Sequence, residues 1–106
     1  MTGLVDNLRA MLASGQDNAL LRFSLGSALL KDGDAAGAVE HLAEALRQDP
    51  GYSAAWKLYA KALQAAGDTQ AAAGVFEQGI MVAESKGDKQ AAKEMAVFLR
   101  RLRRDG

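Results

Sequence analysis

The chain has no cysteine. A disulfide scaffold, a thiolate zinc site and a thiol nucleophile are therefore excluded. It has a single histidine, His41, with no second imidazole to pair with it. It has no excess of either charge, since 13 basic residues offset 13 acidic ones. The whole chain thus gives no pull toward nucleic acid or an anionic membrane surface. No stretch approaches the ~20 apolar residues that a membrane span needs. The opening MTGLVDNLRAML lacks a basic segment followed by a long apolar run, so no secretory signal is expected and the expected location is cytoplasmic. Aromatic residues are scarce at 6%, although 49% of the chain is apolar. Much of that apolar content is alanine, which favours helices packed at close range. Proline and tryptophan occur once each, as Pro50 and Trp56, and both fall in the stretch DPGYSAAWKLYA.

The 106 residues suit one domain with one core. Three breaks punctuate them: Gly33-Asp34, Gly67-Asp68 and Gly87-Asp88. Each glycine can end a helix in the left-handed conformation. Each aspartate, or Thr69 beside one, can cap the next helix. Between breaks, apolar residues recur every three or four positions, as in Leu21, Leu25, Ala28, Leu29 and in Val39, Leu42, Ala43, Leu46. The alternation expected of strands is missing. The fold class is therefore all-α, with helices expected over 4–13, 18–31, 35–48, 53–66, 69–86 and 89–103. Pro50 ends the third helix and biases Asp49 away from helical geometry. Gly51 frees the turn, and Ser53 is the expected cap of the fourth helix.

The breaks at Gly33 and Gly67 lie 34 residues apart. At that period Leu25 meets Tyr59, Gly26 meets Ala60 and Leu29 meets Leu63. Further on, Ala38 meets Ala72, Leu42 meets Phe76, Ala45 meets Gly79 and Leu46 meets Ile80. Large pairs with large and small with small; Arg22 opposite Trp56 is the main mismatch. The pattern resembles the tetratricopeptide repeat family, in which Trp, Leu-Gly, Tyr, Ala, Phe and Pro recur over 34 residues. Trp56, Tyr59-Ala60, Leu63, Ala72 and Phe76 carry it in one unit. Leu25-Gly26, Leu29, Gly33, Ala38, Leu42, Ala45-Leu46 and Pro50 carry it in the other.

The resemblance implies a single domain over 1–106: a capping helix in 1–17, repeats at 19–52 and 53–86, and a second cap in 87–106. Pro50 would close the first repeat, and Trp56 would wedge the second against it. The last helix fits after a slide of two residues, with Ala92, Met95-Ala96 and Leu99 at the Trp, Leu-Gly and Tyr places. Its apolar face would be Ala91, Met95, Phe98 and Leu102, and that of the first helix Leu4, Leu8, Met11 and Leu12. Two glycines, Gly74 and Gly79, fall inside the fifth helix. Gly79 stands where the family has a small residue, and Gly74 suggests close approach to a neighbour.

No residue set converges on catalysis, a metal or a cofactor. His41 reads as an exposed polar residue, and Glu40 and Glu44 as a solvated face. The expectation is a non-enzymatic module. The resemblance implies a concave groove that binds a peptide or protein segment, lined by Leu20, Phe23 and Ser27 and by Ala54, Lys57, Lys61 and Gln64, with Leu30 and Lys31 at its margin. Lys57 and Lys61 are four apart and share a face, which with Phe23 would suit an acidic segment bearing an apolar anchor. Phe23 and Ser27 replace the Lys and Asn with which some family members hold a C-terminal carboxylate, so that clamp is not expected. The alternatives are a homo-oligomer and a nucleic-acid binder. Residues 86–106 carry seven basic and three acidic residues, a net +4 against −4 in the remainder. Arg100, Arg101, Arg103 and Arg104 are the candidate basic docking patch. No RNA-binding motif accompanies them, and the opposed charges of the two parts would equally serve self-association.

Overall fold

The computed structural model describes residues 3–105; residues 1, 2 and 106 of the expected domain lie outside them. Six helices and no strand occur among the described residues: α1 (Leu4–Ala13), α2 (Ala19–Lys31), α3 (Ala35–Gln48), α4 (Ser53–Ala65), α5 (Thr69–Ser85) and α6 (Lys89–Asp105). Each matches an expected helix to within two residues at either end.

The punctuation works as chemistry. Gly15, Gly33, Gly67 and Gly87 all adopt positive φ at helix ends, where a side chain would be strained. The side chains of Asp34 and Asp68 accept from the backbone N–H of Gly37 and Ala71, and Asp88 does the same for Ala91. Asn18 caps α2 through Leu21 N–H at 2.8 Å. The expected cap at Ser53 does not form. Tyr52 holds the cap position, and Ser53 is already helical, with its Oγ buried and unpartnered. The turn from Pro50 to Tyr52 moves the helix start one residue earlier, to Ser53, and Tyr52 stacks on Phe23.

Helices pair in chain order. α2 packs on α3, α4 on α5, and α6 on α5, while α3 joins the two hairpins through α4 and α1 covers α2. In addition α2 touches α4 and α4 touches α6, whereas α3 and α5 do not touch. The α2-α4-α6 layer is thus the tighter one, and the stack curves toward it.

The core is three linked clusters. One holds Leu25, Leu29, Ala38, Leu42 and Ala62; a second holds Ala45, Leu46 and Ala55; the third is built on Phe76, Met95, Leu99 and Leu102. Trp56 and Tyr59 pack against more than one of them. Close approach requires the small residues. A Cβ on Gly26 would lie 2.6 Å from Leu42 Cγ, and one on Gly79 would lie 2.9 Å from Trp56 Cβ. Gly74 is different: nothing lies within 4 Å of where its Cβ would be, so the expected close approach is absent.

The terminal helices are unequal. α6 buries Ala92, Met95, Leu99 and Leu102, so Leu99 joins the expected face while Ala91 and Phe98 flank it half-buried. α1 buries no residue. Val5, Leu8 and Leu12 lean on the first cluster, but Leu4 and Met11 are exposed. A stripe at α1's end touches a single neighbour, so only part of it is covered.

Candidate functional site

The tighter layer presents residues from three helices. On α2, Leu20 is 65% exposed and Ser27 half-buried. Phe23 is half-buried, its ring stacked on Tyr52 at 4.9 Å between centroids. On α4, Ala54 and Gln64 are exposed, and Lys57 and Lys61 half-buried. Both lysines reach α6. Lys57 Nζ donates to Glu94 Oε1 at 3.1 Å, and Lys61 Nζ sits 4.2 Å from the centre of the Phe98 ring. The Lys57 ammonium holds the Glu94 carboxyl below the usual range, helped by a hydrogen bond from Gln90. Both lysines thus belong to a layer joined by an ion pair and a cation-ring contact.

The arginines of α6 divide in two. Arg103 pairs with Glu77 at 3.1 Å and Arg104 with Asp105 at 3.6 Å. Arg100 and Arg101 are exposed and form no ion pair among the described residues.

A second polar set lies at the first hairpin. Arg22 donates two bonds of 2.8 Å to the Asp17 carboxylate, and its third nitrogen lies 3.1 Å from His41 Nδ1. Gln48 donates to Asp17 and to Glu44, and Arg47 pairs with Glu44. The Asp17 carboxyl is held well below the usual carboxylate range, first by Arg22 and then by Gln48. Burial, and then the Arg22 charge, lower His41. Its expected exposure is therefore corrected to half-burial beside a guanidinium. Nor are Glu40 and Glu44 one solvated face: Glu44 is half-buried and bonded to Arg47 and Gln48.

These contacts explain the one large mismatch of the repeat. Trp56 ties α4 to the preceding turn by donating from Nε1 to the Pro50 carbonyl at 2.8 Å. Arg22, one period earlier, ties α2 to the preceding turn through Asp17. The residue type changes and the mechanical role persists. The sequence reading missed Tyr52, Glu94 and Phe98. A signal for the last two was present: Glu94 and Phe98 are four apart on α6, as Lys57 and Lys61 are on α4.

Among the described residues no group of three or more His, Asp or Glu side chains could hold a metal ion, and no helix is long and apolar enough to cross a membrane. Stacked helical hairpins with small residues at the crossings and a curved inner layer define a helical-repeat protein of the tetratricopeptide class. The tetratricopeptide repeat family model matches residues 5–62 and again 29–93. The chain is 56% identical over 101 residues to "TPR repeat-containing protein PA0015" of Pseudomonas aeruginosa, covering 95% of this chain and 96% of that one. It resembles the solution structure of protein BPP2914 from Bordetella parapertussis with a TM-score of 0.88 at 47% identity, over 99% of this chain and 91% of that one. The chain belongs to the tetratricopeptide repeat family. Such repeats are generally protein-interaction modules.

Proposed function

We propose that this protein is a non-enzymatic adaptor whose inner layer binds a segment of another protein. Leu20, Phe23 and Ser27 on α2 and Lys57, Lys61 and Gln64 on α4 form the surface, with Arg100 and Arg101 of α6 adding charge beyond it. The observation that carries this reading is the curvature: α2, α4 and α6 touch in sequence while α3 and α5 stand apart. A curved layer can surround a partner segment on several sides. Leu20 supplies an exposed apolar contact at one end, and the exposed arginines supply charge at the other. The fitting partner is a segment with an apolar anchor followed by acidic residues.

Photo-crosslinking in the parent cells tests the surface. A benzoylphenylalanine at Leu20 or Gln64 is expected to capture a discrete protein adduct. The same probe at Gln78, exposed on α5, is expected to capture none. Adducts of equal yield from both faces, or from Gln78 alone, would place binding elsewhere.

A further inference from the structure

α1 has the build of an outer-layer helix. One period of 34 residues before α3, its Val5, Leu8 and Leu12 fall on Val39, Leu42 and Leu46. Leu4 and Met11 fall on Ala38 and Ala45, and one period further on Ala72 and Gly79. Those four small residues are buried, because α3 and α5 each pack between two neighbours. α1 packs on α2 alone, and its Leu4 and Met11 stand 64% and 41% exposed. Beside them a cleft of about 190 Å³ opens between α1 and α2, lined by Leu8, Met11, Asn18, Leu20, Leu21 and Ser24. Of the five large apolar side chains that are well exposed among the described residues, three lie at this end: Leu4, Met11 and Leu20. The opposite end is finished differently. The exposed side of α6 carries Lys89, Lys93, Arg100 and Arg101, the polar outer face that the last element of a repeat stack needs in water.

We propose that the uncharged end formed by α1 and the start of α2 is a self-association surface, on which a second copy of this chain docks about a twofold axis. Two copies can meet end to end in three ways, and charge decides among them. The basic end against itself sets like charges face to face. The basic end against the apolar end strips water from Lys and Arg without supplying carboxylates. The apolar end against itself buries no charge. No charged side chain lines the cleft, and at about 100° per residue Asp6 and Arg9 point away from the Leu4, Leu8, Met11 stripe. Such depletion of charge marks the core of an interface, and homodimer interfaces are the most apolar. The patch also holds both halves of a fit. Met11 and Leu20 protrude, and the cleft they edge has room for an aliphatic side chain, so a twofold axis sets protrusion against cleft twice. Leu4, Met11 and Leu20 together expose on the order of 300 Å² of apolar surface, the scale of an interaction patch. With their rims, two such patches reach about 1,000 Å², the lower bound for a specific contact, so the dimer is weak and reversible. Leu20 also belongs to the inner layer proposed above; the dimer covers that one residue of it and stands whether or not the layer binds a partner.

The test is sedimentation of the full chain from about 10 µM to about 1 mM, the range in which so small an interface associates. The average mass should rise from 11.2 kDa towards twice that value. It should not fall in about 1 M salt, which weakens a charge-driven contact. Met11→Glu sets a carboxylate against the partner copy's cleft and should hold the chain at the single-chain mass, with its helical circular dichroism kept because the side chain is exposed. Leu4→Gln, a milder change on the same stripe, should weaken the dimer at least about tenfold, as for loss of an interface anchor. Arg100→Glu, at the other end, should leave it intact. A single-chain mass at every concentration would overturn the proposal and leave the patch to another protein. A dimer unchanged by Met11→Glu and Leu4→Gln, or one lost in Arg100→Glu or in salt, would overturn it by moving the contact elsewhere.

Discussion

Gly74 and Gly79 lie five residues apart in α5 and answer to different constraints. Glycine in a helix interior costs about 1 kcal/mol relative to alanine. At Gly74 nothing offsets that cost, since the site faces open space. Gly74→Ala should therefore raise stability by up to about 1 kcal/mol. At Gly79 a methyl would meet Met95 Sδ at 2.6 Å and Trp56 Cβ at 2.9 Å. The sulfur can swing aside, but the Cβ is fixed to the α4 backbone. Overpacking costs about 1–3 kcal/mol, so Gly79→Ala should lower stability despite its better helix propensity. Urea denaturation of both variants checks the opposed signs; two shifts of the same sign would contradict this account. The requirement at Gly79 was legible from its place in the repeat. The freedom at Gly74 was not, because a glycine in a helix reads the same whether or not a neighbour is near. Trp56 and Pro50 were legible as one joint, but their hydrogen bond depends on a ring orientation that spacing does not fix.

Contacts between elements were harder to read than the elements themselves. Glycine, aspartate and proline act locally, and the four breaks they make separate α2 through α6. The pairing of Arg22 with Asp17 and His41 spans three elements, α2, the turn before it and α3, and only the fold brings them together. Its consequence is a pH dependence. The His41 imidazole faces Arg22 and feels Arg9, Glu40 and Asp17, and burial beside Arg22 lowers its folded-state pKa below the ordinary 6.5. An unfolded chain binds a proton at His41 below about that pH while the folded chain resists it. Stability should hold above pH 6.5 and decline as pH falls below it, until the folded value is passed. Asp17 and Glu44 are lowered too, so their support is present above their ordinary values of 3.8 and 4.5 and is lost as pH falls further. Unfolding free energies measured from pH 7 to pH 5 should fall in the wild type and fall less in His41→Gln. Equal slopes would remove His41 from the account.

For the whole molecule, the two ends contribute unequally. Equal apolar stripes were expected at both ends, because periodicity counts apolar residues and says nothing of what covers them. α6 buries Met95, Leu99 and Leu102 against Phe76, and burial of each such side chain stabilises by on the order of 2 kcal/mol. Deleting residues 89–106 should remove most of a ~5–10 kcal/mol stability and abolish a cooperative thermal transition. Deleting residues 1–14 removes a helix with no buried residue, so that variant should keep a cooperative transition at a lower Tm. Calorimetry of both truncations decides the matter; a cooperative transition without α6 would refute the asymmetry. The pairing of helices into hairpins was legible through the repeat, whereas the contacts of Lys57 and Lys61 with α6 were hidden by the two-residue slip that separates the last helix from the 34-residue frame.

Every helix of this chain packs on the one before it, the one after it, or the next but one. Among the described residues no strand waits for a distant partner, and the loops to be closed are short, a topology that folds in about microseconds to milliseconds. Synthesis adds only about 5–20 residues each second. The first hairpin can therefore close while the second is still being made, and each new helix meets a finished surface as it emerges. α6 emerges after the other five helices, and its arrival covers Phe76.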